Sequence, residues 1–216
     1  DAVDCLKGIF SMYDNDNDGA IRSADVEDLF STAPDCPWTE GPYKDAAPTT
    51  ALGGLTINGF LSEWTLMTLL EPAKSVEYLK FIMYSGDASS AIRLTRRRRT
   101  DRKKRLSERN VYQCFVFGPK KAGKSALLDA FLGRPFSDSC SGNTEERYAV
   151  NVVDTSSGSK KFLVLREIPE DKVKKLLSDK ESLATCDIAI FVYDSSDELS
   201  WKKTAELLVE VAGHGE

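Results

Sequence analysis

Histidine is nearly missing: His214, close to the end, is the only one among 216 residues. A nucleophile activated by imidazole therefore has no base within the body of the chain, and a histidine-based triad is disfavoured. Cysteine is sparse too. Cys5, Cys36, Cys114, Cys140 and Cys186 are odd in number, scattered, and include no CxxC pair. That argues against a disulfide frame or a zinc site and points to reduced thiols facing the cytosol. Cys114 and Cys186 fall in apolar strand patterns and are expected in the core. There is no leader-like segment and no apolar run of ~18 residues, so no membrane span is expected in these residues.

Charge is plentiful but uneven. Residues 93–109 hold ten Arg or Lys against two acids, a local +8, which leaves the rest of the chain at −13 within a net of −5. The run contains Arg96-Arg97-Arg98-Arg99 and Arg102-Lys103-Lys104-Arg105. It reads as a solvated linker or an exposed helix end, with an anionic partner surface over 96–105 (lipid headgroups or an acidic protein face) as the alternative. No aromatics interleave with these charges and no base-reading module is visible, so nucleic acid is not expected as a partner.

The run separates two halves of different pattern. Before it, Leu6, Ile9, Phe10 and Tyr13 form one helical face, and Val26, Leu29 and Phe30 another. A long loop rich in Pro, Gly and Thr follows from about Ser31 to Gly54. Pro37-Trp38 is expected to pin it to the domain, with a ligand contact for Trp38 as the other reading. Helices are expected over Gly59 to Leu70 and over Pro72 to Tyr84, because Pro72 suits a first helical turn and interrupts a continuous helix.

Between the first two helices, residues 14–25 read Asp-Asn-Asp-Asn-Asp-Gly-Ala-Ile-Arg-Ser-Ala-Asp. This is a twelve-residue EF-hand calcium loop. Asp14, Asp16 and Asp18 fill positions 1, 3 and 5, Gly19 allows the turn at 6, Ala20 offers its carbonyl at 7, and Asp25 closes the loop at 12. An Asx-rich turn between helices is the competing reading. Position 12 is ordinarily Glu. The shorter Asp25 reaches a cation bidentately with more difficulty, and Arg22 at position 9 adds positive charge. Calcium affinity on the order of 10⁻⁵ M, or occupancy by Mg²⁺, is therefore expected. Leu55-Thr56-Ile57-Asn58-Gly59-Phe60 reads as a second EF-hand of about 50–70 without acidic ligands, with Ile57 pairing near Ile21. The helix over 72–84, bearing Val76, Leu79, Ile82 and Met83, is expected to fill the groove of that pair.

The second half alternates like an α/β domain. Val111 to Phe117 is an apolar strand. It runs into Gly118-Pro119-Lys120-Lys121-Ala122-Gly123-Lys124-Ser125, and Leu127, Leu128, Phe131 and Leu132 follow at helical spacing. The pattern G-x-x-x-x-G-K-[ST] between a strand and a helix is a phosphate-binding P-loop. Backbone N–H groups among Gly118, Lys120, Lys121, Ala122, Gly123, Lys124, Ser125 and Ala126 cradle phosphate oxygens, Lys124 reaches the β- and γ-phosphates, and Ser125 ligates Mg²⁺. An ordinary strand-to-helix turn is the bland alternative. Strands Tyr148 to Asp154 and Lys161 to Ile168 form a hairpin about Ser156-Ser157-Gly158-Ser159. A helix over Asp171 to Leu183, a buried strand Ile188 to Tyr193 and a helix over Leu199 to Val211 complete the pattern. The order β-P-loop-α-ββ-α-β-α is that of a small GTPase, not of a P-loop kinase.

An EF-hand unit ahead of a Ras-like domain resembles Miro, the mitochondrial Rho-type GTPase family. The resemblance rests on the 14–25 loop, Pro37-Trp38, Ile57-Asn58-Gly59-Phe60 with Trp64, Gly118–Ser125, Ala130-Phe131-Leu132-Gly133 and Phe191-Val192-Tyr193-Asp194-Ser195-Ser196. It implies the second EF-hand unit followed by the start of the C-terminal GTPase domain, with the membrane anchor outside this chain. The fold class is then α + α/β. An EF-hand pair with a docked ligand-mimic helix occupies 1–90, a basic linker 91–110, and a C-terminally incomplete Ras-like P-loop domain 111–216. The resemblance also implies GTP or GDP, Mg²⁺ and Ca²⁺ as ligands and adaptor or motor-complex proteins as partners. It implies a place on the cytosolic face of the outer mitochondrial membrane, with a role in mitochondrial transport, positioning and morphology.

Against that pattern the chain departs at the catalytic switches. Thr144 is the match for the switch I threonine that completes Mg²⁺ binding, with Ser139 and Ser141 nearby. Strand 161–168 continues Glu167-Ile168-Pro169-Glu170, so Glu167 stands near the switch II aspartate and neither glycine nor glutamine follows. Lys120 takes a P-loop position that is often glycine. Lys124, Thr144 and Glu167 are thus the catalytic candidates, and hydrolysis is expected at or below ~10⁻⁴ s⁻¹. A nucleotide-holding scaffold without turnover is the alternative. The [NT]-K-x-D guanine-reading motif does not occur, so the choice of base rests on the resemblance.

Overall fold

The computed structural model describes residues 2–82, 86–93, 109–136, 146–156 and 158–214. They divide into two compact units, 1–95 with 150–162 and 96–149 with 163–216. No helix among the described residues is long and apolar enough to cross a membrane.

In the first unit, α1 (Ala2–Tyr13) buries Leu6 and Phe10, and α2 (Ser23–Leu29) buries Val26 and Leu29. These are the faces that the apolar spacing marks. Strand β1 (Ala20–Ile21) pairs antiparallel with β2 (Leu55–Thr56), with Ala20 opposite Thr56 and Ile21 opposite Leu55. The expected partner of Ile21 was Ile57. It is excluded because Ile57 already opens α3 (Ile57–Leu70), whose N-cap Thr56 accepts the Gly59 N–H on its side chain. The helix expected over 72–84 is α4 (Pro72–Phe81), with the short α5 (Ala88–Ala91) after it, and Met83 and Tyr84 lie outside the described residues.

The long loop is held by its tryptophan. Trp38 is buried and meets Phe30, Phe60 and Trp64 edge-on at centroid distances of 5.0, 5.6 and 5.7 Å. Each such pair adds roughly 0.5–1.5 kcal/mol to the burial itself. Tyr78 of α4 joins the cluster through Phe30 at 5.8 Å, its hydroxyl bonds Asp35, and Leu79 beside it is buried.

The larger sheet has four strands, β3 (Val111–Phe117), β4 (Arg147–Asp154), β5 (Lys160–Glu167) and β6 (Ile188–Phe191), in the order β4-β5-β3-β6. β3 and β6 are parallel, with Cys114 opposite Ile188 and Phe117 opposite Phe191. On one face Cys114, Val116, Leu128, Leu132, Ala149 and Leu165 pack together; on the other, Phe115, Phe117, Ile168, Val173, Leu176 and Leu177 do. Cys186 is only half-buried beside the second cluster.

Two expectations fail here. The helix expected over 171–183 is broken into a 3₁₀ turn (Glu170–Lys172), α7 (Val173–Ser178) and α8 (Lys180–Ala184); α6 (Lys124–Phe131) precedes them in the chain. The break is at Asp179, whose extended backbone and carboxylate, accepting the Glu181 and Ser182 N–H groups, start a new helix. The strand expected over 188–193 ends at Phe191 and is last in the strand order, with Ile188 48% and Tyr193 44% exposed. The last helix, α9 (Glu198–Gly213), is capped by the Asp197 carboxylate.

Candidate functional site

The phosphate loop is built by crowding. β3 ends at Phe117; the backbone of Gly118 then has φ +151°, and a Cβ there would lie 2.2 Å from the Val192 carbonyl oxygen. Only glycine fits between the turning loop and the chain leaving β6. Lys121 (φ +66°) and Gly123 (φ +95°) take left-handed conformations, and α6 starts at Lys124. Lys120 and Lys121 are exposed, Ala122 is buried, and Ala126 lies half-buried in the first turn of α6.

Lys124 is buried, and its Nζ donates to the carbonyls of Gly118 and Pro119 at 2.9 and 3.0 Å. Burial lowers its pKa, while Glu167 and Glu170 act in the opposite sense. Ser125 Oγ donates to both Glu167 carboxylate oxygens, at 3.0 and 2.9 Å. Glu167 is itself buried. The expected phosphate, metal and switch II residues Lys124, Ser125 and Glu167 are therefore brought into one place. Thr144, Ser139 and Ser141 lie outside the described residues, as does the basic run 96–105.

One residue here went unread in the sequence. Glu170 Oε2 accepts the Lys120 N–H at 2.9 Å, and its Oε1 lies 3.7 Å from Lys203 Nζ on α9. The contact spans fifty residues, so no local spacing signals it.

The acidic loop of the first unit gathers a different chemistry. Ligand oxygens of Asp14, Asp16 and Asp18 lie within 4.8 Å of one another. The Asp14 carboxylate accepts the Asp18 and Gly19 N–H groups at 3.1 Å each, and Asp18 accepts that of Ala20 at 2.9 Å. Gly19 turns with φ +81°. Asp25 stands apart from the three: its carboxylate accepts the Arg22 N–H at 2.7 Å and closes the start of α2. The Arg22 guanidinium spans Asp16 and Asp18, at 2.8 Å to each. It lowers the Asp16 pKa chiefly through that hydrogen bond.

Both sites fit the groups their motifs imply. The acidic loop presents three carboxylates in a cluster with oxygen ligands of the kind hard cations take. The phosphate loop presents a buried amine at a helix start, beside a hydroxyl paired with a buried carboxylate.

A family described as "EF hand associated" matches residues 38–106. The chain is 62% identical over 216 residues to "Mitochondrial Rho GTPase 2" of Arabidopsis thaliana, covering 100% of this chain and 34% of that protein. It is 63% identical over 215 residues to "Mitochondrial Rho GTPase 1" of the same plant, covering 100% of this chain and 33% of that protein. It is 33% identical over 211 residues to "Mitochondrial Rho GTPase 1" of Saccharomyces cerevisiae, covering 94% of this chain and 32% of that protein. The chain thus spans about a third of the length of these relatives, across both the acidic loop and the phosphate loop, and it belongs to the Miro family of mitochondrial Rho-type GTPases.

Proposed function

We propose that this chain is the calcium- and GTP-binding middle portion of a slow mitochondrial GTPase. The observation that carries the reading is the buried Lys124 at the start of α6, with Ser125 bonded to Glu167 beside it. With nucleotide bound, Lys124 would exchange its two carbonyl contacts for phosphate oxygens, the loop N–H groups would orient the phosphates, and Ser125 and Thr144 would hold Mg²⁺ with Glu167 behind Ser125. Mg²⁺, when bound, neutralises charge on the β- and γ-phosphates. The base is guanine by family membership.

Hydrolysis is slow in this reading because the segment after Glu167 supplies no group to position water. Ile168 is buried with its N–H on the Val116 carbonyl, Pro169 has no N–H, and the Glu170 carboxylate is turned onto the loop. The same features favour a second reading, a scaffold that holds nucleotide without turnover and recruits motor adaptors. Asp14, Asp16, Asp18, the Ala20 carbonyl and Asp25 take Ca²⁺, with Mg²⁺ as competitor. Helix α4 acts as a built-in ligand of the EF pair, supported by its buried Tyr78 and Leu79. The division is an EF unit over 1–90, a basic linker over 91–110 with an anionic surface as its possible partner, and a Ras-like domain from 111. The whole protein works at the cytosolic face of the outer mitochondrial membrane in transport and positioning of mitochondria.

The test is single-turnover conversion of GTP by the full-length protein with Mg²⁺, followed for hours by chromatography, with Lys124→Ala as the blank. GDP above the blank supports the enzyme. GTP retained intact by the native protein and lost from the blank supports the scaffold. No difference between the two proteins removes the phosphate loop as the site.

A further inference from the structure

We propose that Glu170 is a resident anion of the phosphate loop, one that sets the preference of the loop between nucleoside diphosphate and triphosphate. The inference rests on Gly118–Ser125 being a nucleotide loop. A loop of this kind holds phosphate through its backbone N–H groups, and one of them, that of Lys120, is already bonded to the Glu170 carboxylate at 2.9 Å.

The carboxylate is held there by the chain behind it. Ile168 N–H bonds the Val116 carbonyl at 3.0 Å, Pro169 is rigid, and Glu170 opens the 3₁₀ turn. The two acids of this segment therefore flank Lys124. Glu167 holds Ser125 on the helix side, and Glu170 holds Lys120 on the loop side. Lys124 senses both as negative neighbours.

A polyphosphate arriving at this loop meets a like charge. Repulsion grows with the charge brought in, so the extra phosphoryl group of a triphosphate is disfavoured more than the diphosphate. Lys203 offers the carboxylate an exit. Its Nζ lies 3.7 Å from Glu170 Oε1, too long for a hydrogen bond but close enough to draw the side chain off Lys120. The native loop thus favours the diphosphate, and triphosphate binding requires Glu170 to swing to Lys203.

The test measures GDP and GTP dissociation constants with Mg²⁺ by competitive titration on the full-length protein. Glu170→Gln and Lys203→Ala are compared with the native chain, and Lys124→Ala is subtracted as the blank for nucleotide held elsewhere. Glutamine keeps an oxygen for the Lys120 N–H and removes only the charge. Glu170→Gln is expected to tighten GTP about five- to tenfold relative to GDP. Lys203→Ala is expected to weaken GTP relative to GDP. Equal shifts for the two nucleotides, or none, overturn the role of Glu170. A Lys124→Ala protein that binds like the native one instead removes the nucleotide loop, and this inference with it.

Discussion

The acidic loop and the phosphate loop are opposites in charge yet share a device: each keeps a counter-charge from its own chain. In the first, the Arg22 guanidinium lies across Asp16 and Asp18, with the side chains of Arg22 and Asp16 about half exposed. In the second, Glu170 lies on a loop N–H, and Lys124 and Glu167 are nearly closed off from solvent. Burial makes the difference. Exposed pairs are screened by water and salt and are exchanged at small cost, whereas buried charges stripped of a partner are strongly destabilising. The acidic loop should therefore exchange its resident charge for an ion with little effect elsewhere, while in the phosphate loop changes at the buried Lys124 and Glu167 should cost far more than changes at the more exposed Glu170.

The largest expected break of this comparison is Lys124→Ala. It should abolish nucleotide retention, a loss of at least about a hundredfold in affinity, since the one buried cation of the loop disappears. Nucleotide co-purifying through gel filtration reports it. Next is Gly118→Ala, where the added Cβ meets the Val192 carbonyl at 2.2 Å. A cost of about 2–4 kcal/mol is expected from the clash and the left-handed backbone together, read as the shift of the denaturant midpoint. Asp14→Ala should remove divalent binding, measured by calorimetry, and leave nucleotide affinity within about twofold if the two loops act separately. Loss of both would couple them.

The smallest change is Arg22→Ala, which should raise calcium affinity roughly two- to fivefold by clearing the resident cation. It carries a pH signature. Arg22 lowers the Asp16 pKa, so the contribution of the pair is complete above the ordinary carboxylate pKa and is lost as pH falls through the depressed one. The native and Arg22→Ala proteins should therefore differ in their acid unfolding curves above that range and converge below it. Parallel curves throughout would show that the pair contributes nothing.

Much of this was legible in the chain. Short-range chemistry wrote it: the glycine and lysine spacing of 118–125 between an apolar strand and a helix, the aspartates at alternate positions of 14–18, and Pro72 at the first turn of α4. The misreadings share a cause. Asp179 looks like any polar residue in a helical pattern until its carboxylate takes two backbone N–H groups. Leu55, not Ile57, faces Ile21 because the Thr56 cap sets the register.

The sequence by itself determined which groups are available, phosphate-binding amides with a lysine and a cluster of carboxylates. It also determined the elements that carry them, because motif and capping interactions act over a few residues. Only the tertiary structure decided what those groups touch before a ligand arrives. Glu170 reaches Lys120, Glu167 reaches Ser125, and Gly118 is pressed against Val192 across separations of fifty, forty-two and seventy-four residues. Such pairings follow from how the strands are ordered and packed, and that ordering is set by burial summed over the whole sheet rather than by any local pattern.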